Sequence, residues 1–404
     1  MITEKKIAVL GLGYIGLPTA ALLASKGFEI SGTDINQDIV NTINEGRIHI
    51  VENDLESLVK DSVEAGKLRA FTEVQPSDIY IICVPTPFDS EGEFPRPDTT
   101  YVFEAINSVL PIIKDGDTLI IESTCPVGTT EEAVRLLSDF GLDTEKINIA
   151  YCPERVLPGN IISELVENDR VIGGYNQRST EAVLAFYEHF VTGDLLPTDA
   201  KTAEMCKLTE NSFRDVNIAF ANELSMICSE EGINVWELIK LANHHPRVQI
   251  LQPGTGVGGH CIAVDPWFIV DSDFKNSKLI RQARLVNDHK PQWVIQQIEK
   301  KVLSFKEKKK IACLGLSFKP NIDDLRQSPA ITVVDALIEK GFNIKCVEPN
   351  IVQHSLYDII SLEQAISESD LFIILVNHDE FKTTNFKMQV SKLDVIDFSG
   401  ALEQ

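Results

Sequence analysis

The sequence predicts an α/β protein in which two Rossmann-like, doubly wound domains are joined by a central helical domain. Short β-rich runs alternate with helical stretches over residues 7–151 and again over residues 311–398. The segment between these two regions instead repeats apolar residues at three- and four-residue spacing, which is typical of helices. Because strands that alternate with helices favour parallel sheets, we expect a parallel sheet covered on both faces at each end of the chain.

Each domain is predicted from its own elements. The first, residues 1–198, contains β-rich runs at residues 7–10, 29–33, 79–84, 118–122 and 147–151. The central domain, residues 199–304, contains long helical patterns over 200–241 and 277–304, in which proline is nearly absent. The last domain, residues 305–404, begins with a charged linker and contains β-rich runs at 311–314, 343–347, 371–376 and 395–398.

Composition excludes several classes of protein. The 404 residues carry a formal net charge of -23, which disfavours binding to nucleic acid or to anionic membrane surfaces. The eight cysteines form no C-x-x-C pair, so neither a disulfide framework nor a thiolate zinc site is indicated, and the absence of an H-E-x-x-H pair leaves no metal site expected. Since no run of 18 apolar residues or signal-peptide pattern is present, we expect a cytoplasmic protein.

A glycine fingerprint follows the first predicted strand. Residues 11–16 read Gly-Leu-Gly-Tyr-Ile-Gly and lie between a strand and a helical pattern. Gly11 permits the tight turn, Gly13 lets the backbone approach a pyrophosphate, and Gly16 allows close helix packing, with Tyr14 and Ile15 between them. The pattern alone is weak evidence, because glycines also serve turns without ligands. Its position between a strand and a helix strengthens the prediction of a dinucleotide site.

An acidic residue at the end of the next strand identifies the dinucleotide. Asp34 can accept hydrogen bonds from the ribose hydroxyls, and its charge would repel the 2′-phosphate of NADP. We therefore predict NAD as the cofactor. Thr86, Ser123 and Thr124 follow later strands and are predicted to line the same cleft, although each residue could equally serve an ordinary turn.

The least ordinary segment lies at residues 254–266, Gly-Thr-Gly-Val-Gly-Gly-His-Cys-Ile-Ala-Val-Asp-Pro. Its glycines would let a substrate approach the thiol of Cys261 closely and could expose backbone N–H groups to an oxyanion. Pro266 suits the first turn of a helix, which makes Asp265 a candidate N-cap near the thiol. Considered alone, Cys261 would more often be a small buried apolar residue.

These features together resemble the UDP-glucose/GDP-mannose dehydrogenase family, the nucleotide-sugar 6-dehydrogenases. The resemblance covers essentially the whole chain, and its other markers are the segments 123–129, 152–155, 204–217, 246–267 and 318–326. The loop at residues 257–267 is most similar to the branch that acts on UDP-N-acetyl-D-mannosamine. One departure is Ser399, which stands where relatives often carry a basic residue toward the substrate.

The resemblance implies an NAD-dependent four-electron oxidation of the sugar C6 alcohol to a carboxylate, with two NAD consumed, for surface polysaccharide biosynthesis. An aldehyde has no hydroxyl to oxidise until a nucleophile adds to it, so Cys261 would form a thiohemiacetal and then a thioester. Covalent capture would also prevent the aldehyde from escaping.

The resemblance also implies roles for the other site residues. Lys207, Asn211 and Arg214 share one face of a predicted helix, a pattern that without the resemblance would more often be a solvated stripe. Lys207 and Asn211 would stabilise the reacting oxygen, and Thr124 would assist an ordered water. Whether Asp265 or Glu154 activates that water is left open.

Substrate and partner expectations follow from the same resemblance. Arg326 would reach the cofactor, and a homodimer or larger homo-oligomer would form by analogy only. The residues expected to contact the UDP-sugar are Arg155, Val156, Lys207, Asn211, Arg214, His245, Arg247, Gly258, Phe318 and Lys319. The last domain lacks the three-glycine fingerprint and is expected to bind uridine diphosphate.

Several alternatives remain open on the sequence alone. The same reaction could act on UDP-N-acetylglucosamine, UDP-N-acetylgalactosamine or UDP-glucose, since one stereocentre separates several of these sugars. A two-electron hydroxyacid dehydrogenase would not need Cys261 and would yield one NADH. A protein that senses NAD and a UDP-sugar without turnover is disfavoured by the joint presence of Cys261, Lys207 and Asp265.

Overall fold

The computed structural model describes residues 4–50, 52–89, 92, 94–157, 159–259, 262–305, 307 and 309–403. The predicted nucleophile Cys261 lies outside the described residues. The chain divides into two compact units, Met1–Thr209 and Glu210–Gln404.

The first unit is built on one large sheet. Its strands occur in the spatial order β10-β9-β8-β7-β4-β1-β2-β3. The stretch from β3 to β8 is parallel and has the Rossmann order 3-2-1-4-5-6. The strands of this unit are β1 Lys6–Leu10, β2 Glu29–Thr33, β3 Leu68–Phe71, β4 Ile79–Ile82, β5 Phe88–Asp89, β6 Arg96–Pro97, β7 Thr118–Ile121, β8 Asn148–Tyr151, β9 Arg170–Gly174 and β10 Leu195–Asp199.

Helices cover both faces of this sheet. Alternate residues of β1 enter two different apolar clusters: Ile7 and Val9 pack on one face, and Ala8 and Leu10 pack on the other. This division is what the period of two predicts for a strand buried on both faces. The helices are α1 Gly16–Ser25, α2 Gln37–Asn44, α3 Leu55–Glu64, α4 Thr100–Val109, α5 Thr129–Asp139, α6 Ile161–Glu167 and α7 Gln177–Tyr187.

The sheet differs from the sequence prediction at one edge. Strand β9 is antiparallel to β8, and β10 is then parallel to β9, so the expected parallel sheet contains one reversed pair. The sequence analysis missed β3, β9 and β10. Strand β9 carries a charged residue and two glycines, and β10 is a largely exposed edge strand with a proline. Neither has the apolar composition that identifies a strand.

Two long helices dominate the central region, as predicted. Helix α8, Ala200–Glu231, begins in the first unit and continues into the second. The predicted helical stretch over 200–241 is divided into two helices, because Gly232 adopts a φ of 68° and Asn234 then caps α9, Val235–Ala242. Helices α10, Asp265–Ser272, and α11, Lys278–Leu303, follow. None of the helices in the described part of the chain has both the length and the apolar character that a membrane crossing requires.

The remainder of the second unit contains a smaller sheet. Its order is β12-β11-β13-β14, and each described pair is parallel, as predicted. Apolar residues of β11 pack alternately into two clusters, which again places helices on both faces. The elements are β11 Lys310–Leu314, α12 Pro329–Glu339, β12 Asn343–Val347, α13 Leu362–Glu368, β13 Leu371–Ile374, α14 Thr384–Val390 and β14 Asp394–Asp397.

Candidate active site

The glycine turn of the first unit has the geometry of a phosphate cradle. Gly11 has a φ of 88°, and a Cβ there would lie 2.7 Å from the carbonyl oxygen of Cys83. A Cβ at Gly16 would lie 1.8 Å from the carbonyl oxygen of Gly11, whereas one at Gly13 would meet no atom within 4 Å. The first and third glycines are therefore required by packing, while the second leaves open space where a pyrophosphate can approach the backbone.

Asp34 is positioned beside this turn. Its Oδ2 accepts a hydrogen bond from the N–H of Leu12 at 3.1 Å, and its Oδ1 accepts one from the N–H of Asn36 at 2.9 Å. The half-buried carboxylate is thus held at the end of β2, where a ribose would be recognised. Sequence analysis missed His49 nearby, whose pKa is lowered by burial although the charge of Asp34 opposes that shift. The glycine turn at residues 11–16 and the carboxylate of Asp34 therefore fit the pyrophosphate and the ribose of an NAD molecule.

The predicted residues after β4 and β7 have mixed roles. The hydroxyl of Ser123 donates to the carbonyl oxygen of Val84 at 2.8 Å and is buried. This side chain therefore joins the ends of two neighbouring strands. Thr86 and Thr124 are half-buried at the same edge of the sheet. Their position, rather than that of the Ser123 hydroxyl, suits a ligand at the carboxyl ends of the strands.

Glu154 belongs to a buried ionic cluster that the sequence did not reveal. Its Oε2 accepts a hydrogen bond from Arg170 at 2.8 Å, and its Oε1 accepts the N–H of Arg155 at 2.7 Å. Arg170 also lies 3.6 Å from Glu122 Oε1, which accepts a hydrogen bond from the Tyr187 hydroxyl at 2.6 Å. Burial raises the pKa of Glu122. The sequence signal for this cluster was an arginine directly before the uncharged run at residues 171–174.

Two other predicted residues lie beside Glu154. The Nζ of Lys207 donates to the carbonyl oxygen of Glu154 at 2.9 Å, which places this ammonium next to the segment that follows β8. The guanidinium of Arg155 donates to the carbonyl oxygen of Asp169. Val156 packs against the apolar core of the first unit. The structure therefore brings Lys207, Glu154 and Arg155 together, whereas Val156 contributes to packing.

Helix α8 also carries Asn211, which contacts Asp265. Asn211 Nδ2 donates to Asp265 Oδ2 at 2.5 Å, and both side chains are buried. The expectation that Asp265 is an N-cap was wrong: the cap position is Val264, and Asp265 is the first residue of α10. Pro266 is therefore the second residue of the helix, in the first turn, where its missing N–H is not needed for an intrahelical hydrogen bond. Arg214 lies on α8 but is exposed.

The glycine loop at residues 254–259 packs tightly against a second loop. A Cβ at Gly258 would lie 2.4 Å from the carbonyl oxygen of Gln327. Gly259 has a φ of 83°, and a Cβ there would lie 2.8 Å from the ring of Phe318. The sequence analysis explained these glycines by access to the thiol and by backbone N–H groups exposed to an oxyanion. The structure shows that they are also needed for the close contact with Phe318.

A cavity of about 170 Å³ lies beside these two loops. Gly254, Phe318 and Ser399 are among its lining residues. The hydroxyl of Ser399, the residue that departs from the family pattern, donates to Asp397 Oδ1 at 3.1 Å. Ser399 therefore presents a neutral side chain to this cavity, where a basic residue would have added positive charge.

The other predicted binding residues are surface groups within the described part of the chain. His245 lies in the turn after α9, where its Nδ1 accepts the N–H of Arg247 at 3.3 Å, and both side chains are exposed, as is Lys319. Arg326, predicted to reach the cofactor, forms an ion pair with Asp324 at 2.7 Å. These positions leave the ligand contacts of the four residues as predictions.

Sequence comparisons identify the three domains. The chain matches the sequence profiles of the UDP-glucose/GDP-mannose dehydrogenase family in its NAD binding domain over residues 5–191, its central domain over 201–289 and its UDP binding domain over 312–404. The predicted NAD cofactor and the α/β fold are confirmed, and the UDP binding domain supports a UDP-sugar as the substrate class.

Individual relatives extend over nearly the full chain. It is 52% identical to an NDP-N-acetyl-D-galactosaminuronic acid dehydrogenase of Ralstonia solanacearum, covering 98% of this chain and 96% of the relative. It is also 52% identical to the UDP-N-acetyl-D-mannosamine dehydrogenase of Escherichia coli, covering 94% and 95%. A solved UDP-N-acetyl-mannosamine dehydrogenase of Staphylococcus aureus superposes with a TM-score of 0.89 at 38% identity, covering 99% and 96%. The resemblance predicted from the motifs is therefore confirmed, and the chain belongs to the UDP-glucose/GDP-mannose dehydrogenase family of NAD-dependent oxidoreductases.

Proposed function

We propose that this enzyme oxidises the C6 alcohol of UDP-N-acetyl-D-mannosamine to the carboxylate of the uronate, in two successive oxidations. The contact between Asn211 and Asp265 carries this proposal. It joins helix α8, which also bears Lys207, to the first residue of α10, four positions after Cys261 in the sequence. The second of two oxidations needs a nucleophile, an oxyanion partner and a carboxylate, and these residues supply all three.

Cys261 makes the second oxidation possible. Its thiolate adds to the aldehyde carbon, so the carbonyl double bond becomes a C–O single bond and the product is a thiohemiacetal. NAD, when bound, accepts a hydride from C6 in each oxidation. Loss of the second hydride leaves a thioester, and water then breaks the C–S bond to release the carboxylate and the thiol. Lys207 stabilises the charge that develops on the sugar oxygen, with Asn211 holding the same oxygen and Thr124 an ordered water.

The environments of the two candidate carboxylates favour Asp265 as the proton acceptor for water. Glu154 faces the buried guanidinium of Arg170 at 2.8 Å, so its negative charge is compensated within the protein. Asp265 accepts a hydrogen bond from Asn211, the residue that we propose to hold the reacting oxygen. We therefore assign water activation to Asp265. The segment of Glu154, whose carbonyl oxygen accepts a hydrogen bond from Lys207, positions the ammonium of Lys207.

The UDP-sugar contacts that we propose come from side chains and loops of the kinds that recognise diphosphates and sugars. Guanidinium and ammonium groups suit the diphosphate, and the packed Phe318 loop suits the uridine. The proposed set is Arg155, Val156, Lys207, Asn211, Arg214, His245, Arg247, Gly258, Phe318 and Lys319. The acidic product would be made in the cytoplasm and would serve as a sugar donor for surface polysaccharide.

We also propose that the enzyme is a homodimer that pairs through α8. Phe213, Phe220 and Ile227 recur at seven-residue spacing on this helix and are 67%, 53% and 51% exposed. A stripe of large apolar side chains with this spacing suits packing against a second copy of the same helix. Phe220→Glu should convert the dimer to a monomer in light scattering. A wild-type protein that is monomeric at micromolar concentration would refute this assignment.

A panel of UDP-hexosamines tests the reaction. We expect two NADH per uronate, with the fastest turnover on the manno epimer, while Cys261→Ser should retain NAD binding but form no acid. Cys206→Ser is the matched control, because Cys206 is a half-buried thiol of α8. One NADH per sugar from the wild-type enzyme would refute the two-step scheme, and acid formation at the wild-type rate by Cys261→Ser would refute the nucleophile.

A second candidate substrate is UDP-N-acetyl-D-galactosamine. The Ralstonia solanacearum relative, named for N-acetyl-D-galactosaminuronic acid, is as identical to this chain as the Escherichia coli relative. The same panel decides between the two sugars. A higher kcat/KM for the galacto epimer would reassign the substrate and leave the chemistry unchanged. Binding of NAD and UDP-sugar with no turnover of any hexosamine would instead indicate a sensing protein.

A further inference from the structure

The glycine-rich loop before α10 is fixed at both of its described ends by one group of buried polar side chains. At the first end, the N–H of Gly254 donates to Asn222 Oδ1 at 2.9 Å. At the second end, the carbonyl oxygen of Ile262 accepts a hydrogen bond from Arg284 Nη1 at 3.4 Å. Ile262 directly follows Cys261 in the sequence.

The two anchors belong to a continuous network between α8 and α11. Asn222 Nδ2 donates to Asn287 Oδ1 at 2.8 Å, and Asn287 Nδ2 donates to Asp215 Oδ1, also at 2.8 Å. The same Asp215 oxygen accepts a hydrogen bond from Arg284 Nη1. A path of hydrogen bonds therefore runs from the N–H of Gly254 to the carbonyl of Ile262. We refer to Asp215, Asn222, Arg284 and Asn287 as the loop-anchoring network.

The loop-anchoring network is unusually costly to bury. Its four side chains are between 0% and 1% exposed, and one of them is an arginine. Burial raises the pKa of Asp215 to about 6, although Arg284 opposes that shift. Buried ionic and amide groups rarely stabilise a fold more than apolar side chains of the same volume would. Four such groups joined in one path indicate a function other than stabilising the fold.

The composition of the loop indicates that this function is to hold the loop in place. Glycine has the largest backbone freedom of any residue, so a segment with glycines at 254, 256, 258 and 259 does not hold a fixed path by itself. A nucleophile must nevertheless meet the aldehyde carbon within a narrow range of positions. The close contacts with Gln327 and Phe318 hold residues 258 and 259, and the loop also needs anchors at its ends.

We propose that Asn222 and Arg284, connected through Asp215 and Asn287, are positioning residues that hold the loop bearing Cys261 for the second oxidation. This inference rests on the proposed function for the role of Cys261. None of the four residues needs to touch substrate or cofactor. They act through the backbone of Gly254 and Ile262, and their loss impairs thiol addition more than alcohol oxidation.

Asn222→Ala is the direct test, because it removes the hydrogen bonds to Gly254 and to Asn287 without leaving a buried charge unpaired. We expect the second oxidation to slow about 10- to 100-fold relative to the first, since small misplacements of reacting groups have effects of this size. NADH released per sugar consumed should fall from two toward one, with aldehyde detectable by hydrazine trapping. A merely structural role would reduce the amount of active enzyme and leave the ratio at two.

Iodoacetamide labelling supplies a readout that needs neither substrate nor NAD. The alkylation rate of Cys261, followed by peptide mass spectrometry, should change about threefold or more in Asn222→Ala, because the reactivity of a thiol depends on how the loop that carries it is held. Asn44→Ala is the matched control. Asn44 likewise bonds backbone groups through its amide, accepting the N–H and donating to the carbonyl of Ala70, both at 2.9 Å.

The outcomes separate this inference from the proposed function. A wild-type enzyme that yields one NADH refutes the proposed function, while the labelling comparison still tests the loop. A wild-type enzyme that yields two NADH, together with an Asn222→Ala variant of unchanged ratio and unchanged labelling rate, refutes the inference. If Asn222→Ala does not fold, Arg284→Lys is measured in the same way. It retains the buried charge but loses the bond to Ile262, and an unchanged ratio and labelling rate would then be the refuting result.

Discussion

In both sheets of this enzyme, the turn after the first strand has the same backbone geometry. The carboxylate that follows the second strand, however, has different surroundings in the two sheets. In the first unit, the N–H of Gly11 donates to the carbonyl oxygen of Thr33 at 2.8 Å; in the second, Gly315 donates to Val347 at the same distance. The two glycines have φ angles of 88° and 87°. An acidic residue follows each second strand, Asp34 or Glu348, and accepts backbone N–H groups of its turn.

The difference lies in what covers the carboxylate. Asp34 is half-buried and lies at an open turn. Glu348 is 4% exposed, and the fully buried His378 lies 3.2 Å from its Oε2. His378 also accepts the N–H of Asn321 at 3.0 Å, so it fastens the loop that carries Phe318. A carboxylate saturated by its own protein cannot accept ribose hydroxyls, which explains why one sheet suits NAD and the other suits a different nucleotide.

The shared turn geometry is tested by placing alanine at the glycine of each turn. Gly11→Ala and Gly315→Ala should both lower the free energy of unfolding by about 2 to 5 kcal/mol, because each adds left-handed strain and a steric clash. The clashing atoms are the carbonyl oxygen of Cys83, at 2.7 Å, and Cβ of Val376, at 2.5 Å. Chemical denaturation measures the effect. Gly27→Ala is the control, because Gly27 also has a positive φ but an added Cβ would meet nothing within 4 Å. Equal losses in all three variants would show that strain alone matters.

The open carboxylate is tested by Asp34→Ala. We expect NAD affinity to fall about 10- to 100-fold, the range for losing hydrogen bonds to a charged group, while UDP affinity changes little. Isothermal titration with each ligand provides the measurement. Asp34→Asn keeps an acceptor for the N–H of Leu12 and should lose less. An unchanged NAD affinity in Asp34→Ala would remove the distinction between the two turns.

The covered carboxylate is tested by His378→Ala. Removing the imidazole takes one hydrogen-bond partner from the buried carboxylate of Glu348 and should lower the free energy of unfolding by about 1 to 3 kcal/mol. UDP affinity should fall more than NAD affinity, because the imidazole fastens the loop at Asn321. His189→Gln, at an exposed histidine of the first unit, is the control. A variant that keeps wild-type UDP affinity would show that the Phe318 loop needs no such support.

The pH dependence of stability gives the smallest expected effect. Burial alone would raise the pKa of Glu348, but the hydrogen bonds from His378 and from the N–H of Leu316 together hold it below its usual value of 4.5. Because the unfolded chain binds a proton there more readily, Glu348 stabilises the fold above pH 4.5 and loses that contribution as the pH falls further. The stability difference between wild type and Glu348→Gln should therefore shrink below pH 4.5 in denaturation experiments. A difference that grows on acidification would contradict the assigned direction.

Local sequence signals predicted the fold class and the NAD cofactor well, because they depend on neighbouring residues. The glycines at 11, 13 and 16 and the acid at 34 lie within one strand-helix-strand unit, and strand alternation identified most of both sheets. Strand β9 was missed because it begins with Arg170 and ends with two glycines, which leaves only two large apolar residues between them. The burial of that arginine is explained by Glu122 and Glu154, which follow strands β7 and β8.

Longer-range features could not be read from the sequence. Arg284 and Asn287 belong to a polar stretch of α11 that looks solvated, yet both are buried against α8, whose Asn222 is 65 positions away from Asn287. Helix periodicity assigns residues to a face but does not identify what packs on it. The same limit explains Asp265: the sequence placed it near a helix start but could not identify Asn211 as its partner.

The contact of Gly259 with the Phe318 ring restricts how the substrate preference of this enzyme can be re-engineered. The two loops fit as a matched pair, since an added methyl group on one would collide with the aromatic ring of the other. A chimaera that imports only one loop from a relative combines surfaces that were not selected together. Successful exchange of sugar preference should require both segments to be transplanted as a single cassette.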